Sequence, residues 1–436
     1  MPKTLKKTGL IFFPAFDWAI SPNHPEREER LLYTQDQVFE EGLLDFPNIV
    51  EYKPDIATYD DINRCHICVP NAQNLTTNSH LISAGGTITA AKKVLSKEVD
   101  NAFALVRPPG HHSMLVAHGA RGFCNINIEA VMIEYIRHQF GVKRIAVVDT
   151  DCHHGDGTQD IYWNDPDVLC ISIHQDGRTL YPGTGFPDDF GGPNALGATI
   201  NVPLPPRTSD EGFLFVLDNV ILPILEEFKP EIIINSAGQD NHYSDPITNM
   251  SFSAQGYALL NEKLAPDIAV LEGGYSIEKA LPYVNVGIIL AMAGLDFSQV
   301  REPDYDAQRI RQSPEITRLI EAEARNVMTL WKKKKNLKKQ ITGSAAYIRR
   351  EKNIYYDTDN IWEKQTETVR VCDQCGGVVT IDSAADTGKR IYAVILPNRC
   401  CPECRVSGEN FFNRMNSSQY HHVYFQDRQK DVFIVK

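Results

Sequence analysis

The sequence predicts an α/β fold: a parallel, multi-stranded sheet sandwiched by helices, followed by a small β module near the C-terminal end. Short, continuous apolar runs fill the first two-thirds of the chain, helical patterns lie between them, and the composition changes past about Ser298. Runs without polar alternation are what strands buried on both faces require, and their alternation with helices calls for a parallel sheet.

In order, the runs are Gly9–Phe13, Ala102–Arg107, Arg144–Asp149, Val168–His174, Glu231–Gly238 and Asp267–Gly274. Helical patterns occupy Glu129–Phe140 and Glu211–Phe228 among the intervening stretches. A charged helical stretch, Ser313–Lys339, then leads into the last part of the chain. This organisation gives a catalytic unit over 1–310, a charged helical linker over 311–360 and a β module over 361–436.

The 436 residues carry 42% hydrophobic and 23% charged side chains, as in a soluble globular protein. No apolar run is long enough to cross a bilayer, and the basic start MPKTLKK lacks the pattern of a secretory signal, so a cytoplasmic location is expected. The net charge of −12 disfavours a generalised grip on nucleic acid. The basic stretch Lys332–Lys339 reads first as a solvated helix face.

In open parallel sheets, ligands gather beyond the carboxyl ends of the strands. The runs here end in RPPGHH, DTDCHHGD, SIHQDG, SAGQDNHYSDP and LEGGY, so His, Asp and Tyr side chains are delivered to one edge. Asp151 and His153, two apart on an extended segment, point the same way and could grip one ion. Asp245 is the candidate third ligand, and three such ligands leave the open position a catalytic zinc needs. His111 and His112 follow a rigid Pro-Pro-Gly turn and suit proton transfer, with Asp149 and Asp156 available to orient one ring each. Tyr275 follows Glu272-Gly-Gly and offers a hydroxyl to an oxyanion.

Together with GFCNIN, YPGTG and HPEREERL, these motifs resemble, in order and spacing, the histone deacetylase family of the arginase–deacetylase superfamily over roughly the first 300 residues. The resemblance implies a zinc-dependent amidohydrolase that removes acyl, chiefly acetyl, groups from amines such as lysine side chains. It implies Asp151, His153 and Asp245 as zinc ligands, His111 and His112 as the proton-transfer pair backed by Asp149 and Asp156, and Tyr275 as the transition-state tyrosine. It places Gly122, Phe123 and Tyr181 along an acyl-lysine tunnel. It also implies a potassium ion held through Asp149, Asp151, His153, Ser172 and Ile173.

Three departures bear on substrate. The rim acid common in the family aligns with Val69–Asn74, which holds no carboxylate; Tyr181 stands where Phe is common; and Gln239 precedes Asp240. Residues Pro246–Asn261 contain no carboxylate, and Phe252 falls near the position of the acid found in polyamine-specific members. An acetyl-lysine substrate is therefore expected ahead of an acetylated polyamine or another small acylated amine.

Five of the ten cysteines crowd near the end, where Cys372-x-x-Cys375 and Cys401-x-x-Cys404 form two knuckles with the spacing of a structural zinc ribbon. Cys400 competes with Cys401 for the third place. The module could also recruit a protein or nucleic-acid partner, and in a reading from another class that binding would be the chain's main role. Cys65 and Cys68 read as buried core thiols.

Overall fold

The computed structural model describes residues 4–13, 18–308, 310–415 and 417–436, and the side chains of Lys338 and Lys339 within the basic stretch lie outside the described set. Eight parallel strands build the large sheet: β1 (Thr8–Phe12), β2 (Ile49–Tyr52), β3 (Asn101–Leu105), β4 (Ile145–Asp149), β5 (Val168–Gln175), β6 (Thr199–Leu204), β7 (Ile232–Ser236) and β8 (Ile268–Val270). Their spatial order is β2-β1-β3-β8-β7-β4-β5-β6.

All six expected runs are strands. The two additional ones lie at the edges: β2 is short and exposes Glu51, and β6 is interrupted in composition by Asn201 and Pro203. An edge strand tolerates a proline because its outer N–H has no ladder to join, so the apolar signature weakens there.

Side chains of each central strand alternate between two cores. Ala146 and Val148 of β4 join the helices Glu29–Glu40, Ala254–Leu264 and Leu281–Met292 on one face. Ile145 and Val147 join Asn78–Leu95 and Ile128–Phe140 on the other. The segment expected as one helix over 211–228 runs as Asp210–Val216, a π turn at Leu217–Ile221, and Leu222–Phe228. Cys65 and Cys68 are buried in the second core, as expected of packing thiols.

The long helix Pro314–Thr342 leads to a second, six-stranded sheet, made of β9 (Tyr347–Tyr356), β10 (Ile361–Arg370), β11 (Val379–Ala385), β12 (Arg390–Leu396), β13 (His422–Asp427) and β14 (Val432–Val435) in that spatial order. Pairing is antiparallel except between β12 and β13, which run parallel and are joined through the helix Pro402–Arg414. The sheet starts at Tyr347, inside the stretch expected as a linker. Strand β9 is largely exposed along its first half and carries no continuous apolar run, which hid it.

The two sheets share a core. Val369, Val379, Ile381, Ile391, Ala393, Ile395 and Tyr424 of the second sheet belong to the same apolar cluster as the Ile128–Phe140 helix. Lys352 of β9 is buried between Asp160 (2.5 Å) and Glu367 (3.5 Å), the former from the large unit. Removing the cation from such a pair leaves two buried carboxylates unneutralised. Lys352→Ala should lower unfolding free energy by about 3–5 kcal/mol, measured by urea denaturation. With a shared core, the transition should remain single.

Candidate active site

Strands β3, β8, β7 and β4 are neighbours, and their carboxyl ends carry the polar segments found in the sequence. His153 Nδ1 lies 3.2 Å from Asp151 Oδ1 and 2.8 Å from Asp240 Oδ2. One ligand atom from each of these three buried residues lies within 4.8 Å of the others. Backbone amides fix the carboxylates: Gly273 donates to Asp151 Oδ2 (2.8 Å) and Cys152 to Asp240 Oδ1 (2.7 Å). The approach is close enough that a Cβ at Gly238 would stand 2.0 Å from Asp151 Oδ2, and one at Gly273 2.5 Å from Asp240 Oδ2. Two buried carboxylates against one imidazole fit a divalent cation of the zinc type.

Asp240 joins Asp151 and His153 in this cluster, with Asp245, the expected third ligand, close beside it. Asp240 comes directly off the end of β7, whereas Asp245 lies past a further turn, where it accepts the backbone N–H of Tyr275 (2.8 Å) and of Ile247 (3.0 Å). Burial, then the neighbouring Asp240, pushes the Asp245 carboxyl up to about 7. The signal for Asp240 was present: it is the first acid after the strand, two residues beyond a glycine that must be a glycine.

The two histidines are held as expected. His111 Nδ1 donates to Asp149 Oδ2 (2.9 Å), His112 Nδ1 donates to Asp156 Oδ1 (2.7 Å), and the ring centroids are 4.1 Å apart. The environment separates them. Burial, reinforced by His111, pushes His112 down to about 3, while Asp151 and Asp149 raise His111 in spite of its burial. Glu272, which sequence reasoning left out, receives the amides of Gly110 (2.7 Å) and His111 (3.1 Å) and fixes the turn that carries both rings.

Tyr275 is buried against Phe123, with ring centroids 5.7 Å apart, and the Arg30 guanidinium lies 5.1 Å from its ring. Arg30 donates to the Gly274 carbonyl (2.8 Å) and pairs with Glu26 (3.0 Å), which also holds Arg107 (2.6 Å). The HPEREER segment therefore serves as a buried ionic prop beneath the glycine turn at Tyr275. Only its spacing, not its partners, was legible.

Gly122, Phe123 and Tyr181 lie around the histidines. Gly122 has φ +52°, and a Cβ there would stand 2.3 Å from the His112 ring. Tyr181 sits 5.2 Å from His112 and 6.3 Å from His153, centroid to centroid. Phe252 does not join them. It is fully buried, stacked 4.6 Å from Phe213 and 4.5 Å from Tyr257, because the bridge between His242 and Phe252 turns its ring into the core. It therefore carries no information about substrate choice. Asp149 and Ser172 are register partners on β4 and β5, and the Ser172 hydroxyl bonds His174 Nδ1 (2.8 Å).

In the second sheet, Cys372, Cys375, Cys401 and Cys404 bring their sulfurs within 4.8 Å of one another, which resolves the third place in favour of Cys401. Amides approach the sulfurs, among them Gly377 to Cys375 and Cys404 to Cys401, both at 3.4 Å. Asn194 of the large unit reaches into the first knuckle, accepting the Cys372 N–H (2.8 Å).

A trio that could hold a metal ion, beside paired and oppositely tuned histidines at the edge of a parallel sheet, is an arrangement suited to metal-assisted hydrolysis. Comparison with known proteins makes this specific. Residues 68–286 match the histone deacetylase domain. A protein of Archaeoglobus fulgidus named "Probable deacetylase" is 45% identical over 68% of this chain and 89% of its own length. The "Histone deacetylase-like amidohydrolase" of Pseudomonas aeruginosa is 37% identical over 53% of this chain and 62% of its own. The "Acetoin utilization protein AcuC" of Bacillus subtilis is 29% identical over 71% and 88%. The fold matches that of the HDA15 HD domain with a TM-score of 0.65 and 24% identity, covering 78% of this chain and 99% of that one. The chain belongs to the histone deacetylase family and is a hydrolase of that family. No described helix is long and apolar enough to cross a membrane.

Asp240→Asn and Asp245→Asn should each lower metal content at the Asp151–His153 site while leaving that of the cysteine cluster intact. Elemental analysis of the dialysed proteins reads the difference.

Proposed function

We propose that the chain hydrolyses the amide of an N-acylated, chiefly N-acetylated, amine, releasing the carboxylate and the free amine, with acetyl-lysine as the first substrate class. The observation that carries this reading is the split His111–His112 pair, each ring backed by its own carboxylate, beside the Asp151–His153–Asp240 trio. A single neutral imidazole beside a cationic one suits removing a proton from water and then protonating a leaving amine.

Asp151 and His153, with carboxylates from Asp245 and the adjacent Asp240, would hold a zinc ion, which when bound lowers the pKa of water and polarises the amide carbonyl. His112, held neutral by burial and by His111, accepts the proton through the nitrogen that Asp156 leaves free. His111, whose proton Asp151 and Asp149 help to retain, supports the developing tetrahedral centre. Tyr275 donates its hydroxyl to the oxyanion. Gly122, Phe123 and Tyr181 wall the approach and keep the acyl chain in line. Asp149, Asp151, His153, Ser172 and Ile173 form the proposed potassium site, and the four cysteines a structural zinc site.

A small acylated amine, such as an acetylated polyamine, is the second reading. With Phe252 packed in the core, that position no longer argues against it. We assign the catalytic unit to 1–310 and the compartment to the cytoplasm.

Tyr275→Phe should retain its metal and lose turnover by about 10²–10³-fold, the scale of one lost oxyanion donor. Near-normal kcat would remove Tyr275 from the reaction. Comparing kcat/KM for an acetyl-lysine peptide and for acetylputrescine decides between the two substrate classes.

A further inference from the structure

The hairpin between β9 and β10 ends in Asp357-Thr-Asp-Asn360, and this tip meets Tyr181 and the segment around Gly122, beside His112. Asp357 Oδ1 accepts two hydrogen bonds, one from the Tyr181 hydroxyl (2.9 Å) and one from the Gly122 N–H (3.0 Å). Asp359 Oδ2 accepts the Ala120 N–H (2.6 Å), and a Cβ at Gly119 would stand 2.7 Å from the same oxygen. Arg121, between these points, donates to the Tyr355 carbonyl (2.5 Å) through one nitrogen and to Asp156 through two others (3.0 and 2.5 Å).

Asp156 is the carboxylate that orients His112, so one arginine joins the hairpin to the catalytic pair. The base of the hairpin is itself fixed. Tyr356 is fully buried and bonds Glu363 (2.6 Å), Glu363 accepts from Ser383 (2.6 Å), and Ser383 bonds His118 of the loop leading to Gly119 (2.8 Å).

We propose that the C-terminal sheet is a working part of the catalytic site, with Asp357 as a positioning residue that sets the channel wall through Tyr181 and Gly122. The proposal rests on the reading of that channel as the acyl-binding site. It accounts for a tyrosine where the family commonly has phenylalanine. A phenol in a part-buried wall needs an acceptor, and the second sheet supplies it. Without Asp357 the hydroxyl must turn toward water or into the channel, and the Gly122 amide loses its partner as well. Arg121 extends the same dependence to the proton-transfer pair, because its guanidinium is held flat between Asp156 and a carbonyl of β9.

The test uses the full chain with its metals, an acetyl-lysine peptide and acetylputrescine. Asp357→Ala should raise KM for the better substrate by about tenfold, with a smaller change in kcat and intact metal content. Asp357→Asn, which keeps the oxygen acceptor, should restore KM to within about threefold of wild type. Combining Tyr181→Phe with Asp357→Ala should cost less than the product of the two single effects, since the phenylalanine needs no acceptor.

A KM within about twofold of wild type in Asp357→Ala, or single effects that simply multiply, would overturn the proposal. Amide hydrogen exchange over 119–123 gives a readout without substrate. It should quicken in Asp357→Ala, and unchanged exchange would also overturn the proposal. Quickened exchange in a protein that hydrolyses neither substrate would overturn the acyl-site assignment while leaving the hairpin's hold on the loop intact.

Discussion

The structure turns on keeping like charges together in a dry place. Asp149, Asp151, Asp240, Asp245 and Glu272 are all buried at one edge of one sheet. Desolvated carboxylates at such spacing repel one another and tend to take up protons, which is why Asp245 and Glu272 are each pushed up to about 7, burial being the first cause of both. Fixed donors oppose that tendency at the others: the His111 and His153 rings, and the backbone amides of Gly273 and Cys152. A divalent ion at the trio would complete that balance. The glycines at 238 and 273 follow from the same need, because no side chain fits between oxygens this close to the backbone.

A parallel sheet serves this need well. Its strands end side by side, so four short loops can each deliver one charged group to a common volume without a long excursion. The supports are placed behind the loops. Arg30 and Arg107 share Glu26 under the Tyr275 turn, and Glu272 ties that turn to the one carrying the histidines. These groups contribute rigidity, since a catalytic array misplaced by an ångström loses much of its rate.

Much of this was legible in the sequence because the chemistry is local. Asp151 and His153 are two residues apart, His111 and His112 are adjacent, and their strands are continuous apolar runs. Asp240 was not singled out because it and Asp245 are acids on one loop, and spacing alone does not say how the His242–Asp245 turn places the two. Phe252 was placed by counting along a loop, and a single backbone bridge reversed its direction. Glu272, Arg121 and Asp357, and Glu26 through Arg107, act on partners far away in sequence, 235 residues in the case of Asp357 and Gly122. No periodicity or motif encodes such a pairing. Strand β9 escaped for another reason: a half-exposed strand with alternating charges looks like a linker.

The shared core has a bearing on how the protein is made. Tyr424 of β13 packs in the same apolar cluster as the helix Ile128–Phe140, and its hydroxyl donates to the Pro70 carbonyl (3.0 Å). During synthesis, the large sheet can assemble as its strands emerge, but one flank of its helices stays uncovered until residues near 424 have left the ribosome. For that interval the nascent chain presents a greasy face, and the cysteine knuckles are still unpaired across β11 and β12. Covering of that flank and closure of the cysteine cluster therefore fall in the same late window, when the exposed apolar face is most open to aggregation.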